Sequence, residues 1–195
     1  MNVISNILYW ISTGLLVPVI VLLIFFFIRA IILIGAFFGQ YMREKQTTAK
    51  LYGEVTSLTP DTLKEFRESL PEKSESLIYV YARKIIDSSN SQAKVDLLLG
   101  EYEIAADKNI STSKVLTKMG PILGLMGTLI PMGPALVGLA TGDIASMAYN
   151  MQVAFATTVV GLVVSAIGFL TQQAKERWAV KNLMILEFLA QISAK

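Results

Sequence analysis

Three stretches of this chain carry no charged residue: Met1–Ile28, Met119–Gly142 and Ile144–Ala174. Within the first, Ile7–Ile28 is almost purely apolar. A helix needs about 20 apolar residues to cross the hydrocarbon of a bilayer, and each stretch supplies them. Backbone N–H and C=O groups in lipid must be satisfied within their own segment, so each stretch is expected to be a helix. The runs are continuous rather than alternating, which argues against a barrel. The fold class expected is therefore all-α: a polytopic membrane protein with three transmembrane helices and amphipathic helical extensions. The divisions expected are a first span with an interfacial extension over 1–42, a polar helical section over 43–114, spans over 115–142 and 143–174, and a C-terminal helix over 175–195. The N-terminal segment lacks a basic region and a small-residue cleavage site, so it reads as a retained span rather than a signal peptide.

Charge separates the remaining possibilities. Most of it lies between Arg43 and Lys118, with both signs in near balance. A net charge of +2 gives no reason to expect nucleic acid as a partner. The chain has no Cys and no His, which excludes disulfides, Cys or His metal sites, and Cys/His or Ser/His catalysis in this subunit. No phosphate loop, dinucleotide motif or nucleophile motif is present. Acids such as Glu101 and Glu103 read as a solvated helix face. No enzyme, metal site or cofactor is expected.

Orientation follows from the basic residues. None precedes the first span, and Asp143 is the only charge between the second and third. Arg43, Lys45 and Lys50 follow span one; Lys108, Lys114 and Lys118 precede span two; Lys175, Arg177 and Lys181 follow span three. The positive-inside rule places all three clusters in the cytoplasm and the N-terminus outside. Tyr9 and Trp10 suit the outer interface, Tyr41 and Trp178 the inner one. Arg29 falls near the inner interface, where it can snorkel. Ile31–Phe38 then reads as an interfacial continuation of the helix, with lipid headgroups or a partner as the alternative role for Arg29.

In the polar section, Thr59-Pro60-Asp61 has the pattern of a helix start, and Leu70-Pro71-Glu72 repeats it. Leu77, Ile78, Tyr81 and Ile85 recur at helical spacing, as do Val95, Leu98, Leu99, Tyr102 and Ala106. Two or three amphipathic helices are expected. Ser111 or Thr112 is expected to cap a further helix that enters the membrane through Lys118.

Met119–Gln173 carries the most information. Gly120, Gly124, Gly127 and Thr128 follow three- and four-residue steps. Thr158, Gly161, Ser165, Gly168 and Gln172 share one face of the next span, and Ala154, Thr157, Gly161 and Ser165 a neighbouring one. Small residues let membrane helices approach closely, so Gly120, Gly124, Gly127, Gly161 and Gly168 read as packing positions. Thr in an apolar helix usually bonds to its own backbone, but Thr128 and Thr158, with Thr157 and Ser165, have the positions to line a narrow polar path. Gln172 and Lys175 would extend it to the cytoplasm. Pro131 and Pro134 each remove a backbone donor, leaving the carbonyls of Gly127 and Ile130 without their usual partner. A bend in the outer half of span two is expected, with a hydrated cavity satisfying the freed carbonyls. No Asp, Glu, His, Lys or Arg lies deep in spans two or three. A proton relay normally uses one, so a conducting complex would need a carboxylate from another chain.

These residues resemble a known family. Gly120-Pro121-Ile122-Leu123-Gly124-Leu125-Met126-Gly127-Thr128-Leu129 is similar to the second-span motif of the MotA/TolQ/ExbB proton-channel family, and Ala156-Thr157-Thr158-Val159-Val160-Gly161-Leu162 to its third-span motif. The resemblance covers roughly 115–173, and three spans match the TolQ/ExbB branch rather than the four-span MotA branch. It implies a homopentamer in the cell inner membrane around a central pore. That pore would hold a dimer of a single-span ExbD/TolR-like partner whose aspartate carries the proton, with proton flow driving rotation. Thr128 and Thr158 match the threonines that face this aspartate in relatives. Two features depart from the pattern. Val153, flanked by Gln152, stands where ExbB-type relatives have glutamate, so that role is not carried over. Pro131 and Pro134 replace a common Trp-Gly stretch, which points to a diverged subfamily. The residues alone also fit a non-conducting oligomeric scaffold that docks a partner, and a small-solute channel that needs none.

Overall fold

The computed structural model describes residues 2–56, 58, 62–71, 76–88 and 91–193 of the 195-residue chain. Its elements are α1 (Asn2–Thr56), α2 (Leu63–Ser69), α3 (Leu77–Asp87), α4 (Gln92–Thr141) and α5 (Ile144–Ser193). There is no strand among the described residues, so the all-α expectation holds. Three of these helices are long and apolar enough to cross a membrane: α1, α4 and α5. The contacts fall into two compact units, one of residues 1–35 and 112–171, the other of 36–111 and 172–195.

The first unit is built from apolar helix segments. Ala30, Leu33, Leu116 and Val164 form one buried cluster, with Phe26, Phe27, Val160 and Ile167 against it. Val19, Leu23 and Leu123 form a second, joined by Met126 and Ile130. Many other large apolar side chains on these segments point outward, among them Trp10, Leu125, Leu129, Phe155 and Leu170. Such a surface requires lipid or a protein partner to cover it.

The turn between α4 and α5 is set by two residues. Gly142 has φ +77°, a left-handed conformation that glycine adopts without a Cβ clash. The Asp143 N–H donates to the Gly138 carbonyl at 2.8 Å, and the Gly142 N–H to Leu139 at 3.2 Å, closing the end of α4. Asp143 then opens α5: its Oδ1 accepts the Ser146 N–H at 3.0 Å. The lone charge between these two spans is thus a helix N-cap.

The second unit has a conventional amphipathic core. Leu51 and Val55 of α1, Phe66 of α2, Ile78, Tyr81 and Ile85 of α3, Val95 and Tyr102 of α4, and Ile185, Leu186 and Leu189 of α5 are buried together. The periodic residues of α3 and α4 therefore face the core as their spacing predicts, with Leu98 and Leu99 partly buried beside them. The Arg67 guanidinium forms two hydrogen bonds to the Asp87 carboxylate, one of them at 3.1 Å, tying α2 to α3. That hydrogen bonding holds the Asp87 carboxyl below its ordinary range. Arg83 Nη2 donates to the Leu70 carbonyl at 2.9 Å, completing the end of α2.

Two expectations about helix starts are corrected. No helix begins at Ser111 or Thr112, because α4 runs unbroken from Gln92 to Thr141. The buried stripe Tyr102, Ala106, Ile110, Ser113 and Leu116 stays in phase through that point, so no cap is needed, and the Ser111 hydroxyl donates to Lys108 O inside the helix at 2.7 Å. Pro71 is not a first helical residue: it follows Leu70, the C-cap of α2, and α3 starts at Leu77 after Ser76. Glu72 and the Thr59-Pro60-Asp61 pattern lie outside the described residues.

Candidate functional site

In the first unit, α4 and α5 run antiparallel along a seam of small residues. A Cβ on Gly120 would meet the Gly161 carbonyl oxygen at 2.6 Å and the Ser165 nitrogen at 2.8 Å. One on Gly124 would lie 3.5 Å from Gly161 Cα and Thr158 Cα. One on Gly127 would strike the Thr157 side chain at 2.6 Å, and one on Gly168 the Thr117 nitrogen at 2.6 Å. All five glycines singled out by their spacing thus lie in one contact, where backbone meets backbone except at Gly127, which packs on the Thr157 side chain.

The hydroxyls divide along this seam. Thr157 is buried against Gly127 and bonds to Ala154 O at 2.9 Å and Val153 O at 3.1 Å. The Ser165 hydroxyl crosses between helices and donates to the Thr117 carbonyl at 3.0 Å. That carbonyl lies four residues before Pro121, which has no N–H to offer it. Ser165 therefore supplies the donor that the proline removed. Thr128 and Thr158 lie on the flank of the seam, half-buried. Each hydroxyl bonds to its own helix, Thr128 to Leu125 O at 2.7 Å and Thr158 to Ala154 O at 3.2 Å. A hydroxyl that donates to its backbone keeps its acceptor lone pairs available.

Pro131 is buried and Pro134 half-buried, and α4 stays helical through both. Arg29 is exposed, its guanidinium 5.6 Å from the centre of the Phe25 ring. Trp10, at 72% exposure, packs edge-on against Tyr9.

A buried hydroxyl pair was not anticipated. The Thr171 and Ser113 oxygens are 3.1 Å apart, both fully enclosed, and Thr171 also bonds to Ile167 O at 2.8 Å. The signal was present: Ser113 continues the small-residue face of α4 two turns before Gly120, and Thr171 that of α5 one turn beyond Gly168.

The second unit holds a polar cavity of about 490 Å³ whose lining includes Glu44, Tyr102, Asn109, Lys175, Trp178 and Asn182. Asn182 is buried; its amide donates to Glu44 Oε1 at 2.6 Å, and its oxygen accepts the Thr48 hydroxyl at 3.3 Å. Lys175 Nζ donates to the Asn109 carbonyl at 3.3 Å, and burial pulls its pKa below the ordinary lysine value. Gln172 bonds to Glu176 at 2.9 Å. Trp178 stacks on Phe37 at 5.5 Å and leans on Tyr41 at 5.7 Å. None of Glu44, Tyr102 or Asn182 was flagged as a polar site by the sequence, because each sits singly among charged or apolar neighbours.

Burial pushes the Tyr102 phenol up to about 12; the Asn182 hydrogen bond opposes this and the Glu44 charge adds to it. A phenol whose folded pKa is raised adds stability below its ordinary value of 10.0, and that stability is lost as pH rises through the folded value. Stability is therefore expected to fall between about pH 10 and pH 12, and the loss should shrink in Tyr102→Phe. Equilibrium unfolding across that range checks it; an identical pH profile in Tyr102→Phe would contradict it.

Comparison with known proteins gives one match. A model of a family described as the MotA/TolQ/ExbB proton channel family matches residues 69–186. No curated protein and no solved structure shows a significant match.

Proposed function

The chain belongs to the MotA/TolQ/ExbB proton channel family, and from that membership we propose that it is the pore-forming stator subunit of a motor complex driven by the proton-motive force. In this reading it is a multi-pass protein of the cell inner membrane, N-terminus outside and C-terminus in the cytoplasm. Copies of it form a ring, a pentamer by resemblance, around a dimer of a single-span ExbD/TolR-like partner. Thr128 and Thr158 line the pore. Thr157 and Ser165 stand behind them, holding the two helices at fixed spacing. The partner's aspartate carries the proton, since no Asp, Glu, His, Lys or Arg lies deep within spans two or three. Proton flow then drives mechanical work across the envelope.

The observation that carries this reading is the α4–α5 seam. Its backbone contacts hold the helix pair rigid, while Thr128 and Thr158 stay half-exposed on its flank. Hydroxyls on a rigid wall can accept hydrogen bonds from a protonated carboxyl without reorganising.

Proteoliposomes test it. Proton flux is expected only when this chain is reconstituted with a single-span partner carrying an aspartate just inside its helix, and an Asp→Asn change in that partner should abolish flux. Flux from this chain alone would favour a partner-independent channel. Stable docking of the partner without flux would favour the scaffold.

A further inference from the structure

Two outward helix faces in the second unit are apolar although they lie beyond the uncharged stretches. On α4, Leu97 and Ile104 are 63% and 73% exposed. On α5, Val180, Met184 and Phe188 are 59%, 63% and 40% exposed. Each group shares one face at helical spacing, opposite the stripe that its own helix buries: Val95, Tyr102 and Ala106 on α4, and Asn182, Ile185 and Leu189 on α5. In sequence, Asp107, Lys108, Lys114 and Lys118 stand between Ile104 and the uncharged stretch that begins at Met119. Lys175, Glu176, Arg177, Lys181 and Glu187 stand between Ala174 and Phe188. These side chains lie among charged residues rather than in an uncharged stretch, so the surface suited to cover the strip is protein.

The in-chain register says which residues share a level. Lys175 reaches the Asn109 carbonyl, and the Tyr102 hydroxyl donates to Ala179 O at 3.5 Å. One turn further along, Ser113 meets Thr171. Equal rise on two antiparallel helices carries this register outward. Ile104 is then level with Val180, Leu97 with Phe188, and Glu101 lies within a turn of Lys181.

A closed ring relates neighbouring copies by pure rotation, with no rise along its axis. Residues level within one chain are therefore level with the same residues in the next. We infer that α4 of one copy docks against α5 of its neighbour through this strip: Ile104 on Val180, Leu97 on Phe188 and Met184, and Glu101 paired with Lys181. This rests on the ring proposed above and names the surface that builds it outside the membrane. Viewed with the helices antiparallel, Glu101 and Lys181 fall on the same flank of the apolar strip, so both contacts form in one docking pose. At the membrane end of the strip, Lys108 and Arg177 come level with each other, with Asp107 and Glu176 adjacent to them in sequence to offset the like charge.

The chain has no cysteine, which makes disulfide trapping clean. The full-length Leu97→Cys/Phe188→Cys variant, oxidised in membranes, is expected to give a ladder of dimer and higher bands. Equal mixing of the two single variants should give dimers only, and either single variant alone should give none. In parallel, Glu101→Lys should raise the concentration for half-assembly about tenfold, and Glu101→Lys/Lys181→Glu should return it to the original value. An oligomer of unchanged size that gives no ladder, and no rescue by the double reversal, would overturn the strip while leaving the ring intact. A chain that stays monomeric with and without its partner would overturn both.

Discussion

Gly161→Ala is expected to break the α4–α5 seam. The added methyl would sit 2.6 Å from the Gly120 carbonyl oxygen and 2.9 Å from Gly124 Cα. Both are backbone atoms of a helix and cannot rotate aside. Relief requires the helices to separate, which would lengthen the Ser165–Thr117 hydrogen bond and loosen Thr157 from Gly127. Overpacking typically costs about 1–3 kcal/mol, and a clash with backbone on the far side belongs at the upper end. Against a total stability of about 5–15 kcal/mol, that is a large fraction. Gly35→Ala provides the control: a Cβ there meets nothing within 4 Å, and alanine favours the helix by about 0.5–1 kcal/mol over glycine. Thermal unfolding in detergent should place Gly161→Ala well below the parent and Gly35→Ala at or above it. Equal midpoints for the two variants would show that the seam contributes little.

Thr158→Val should separate conduction from assembly. Valine keeps the shape of threonine and its β-branch, so the packing beside Gly124 is preserved. The hydrogen bond it loses runs to Ala154 O in the same helix, and such back-bonds contribute little to helix stability. If Thr158 instead contacts the partner's carboxyl in the pore, the loss is larger. A hydrogen bond accepted from a neutral carboxyl contributes about 0.5–1.5 kcal/mol, so proton flux should fall roughly 2- to 10-fold. Ring size and partner binding should stay as in the parent. Undiminished flux in Thr158→Val would remove this hydroxyl from the proton path. A ring that fails to form would mean that its role is structural instead.

The sequence disclosed the parts of this molecule whose physics is periodic. Long uncharged runs announced α1, α4 and α5, since a bilayer-length apolar segment has few other solutions. Steps of three and four announced the glycine seam, and all five glycines are in contact. The stripes on α3 and α4 turned inward as their spacing required. Pairings between distant residues were much harder to see. Ser165 stands in sequence as one more small polar residue on a helix face, and its bond to Thr117 depends on the register of two helices that no local pattern encodes. Asn182 and Glu44 meet across well over a hundred residues of chain, and neither stands out among its neighbours. Helix ends misled for a different reason. Ser111 and Thr112 have the chemistry of a cap, but the buried stripe runs on through them, and burial outweighs capping preference. Leu70-Pro71 marked the end of one helix rather than the start of another, because proline is favoured just after a C-cap as well as at a first helical position.

The bond between Ser165 and Thr117 O has a consequence for how this protein can change over generations. Pro121 and Ser165 form one inherited unit divided between two helices. Losing the serine while the proline remains leaves a buried carbonyl with no donor, which is the costly arrangement. Replacing the proline first restores an N–H four residues beyond Thr117, after which the serine is free to drift. The two substitutions are therefore tolerated in one order and penalised in the other. A lineage that has lost the proline has no reason to keep the hydroxyl, whereas one that keeps the proline is held to it.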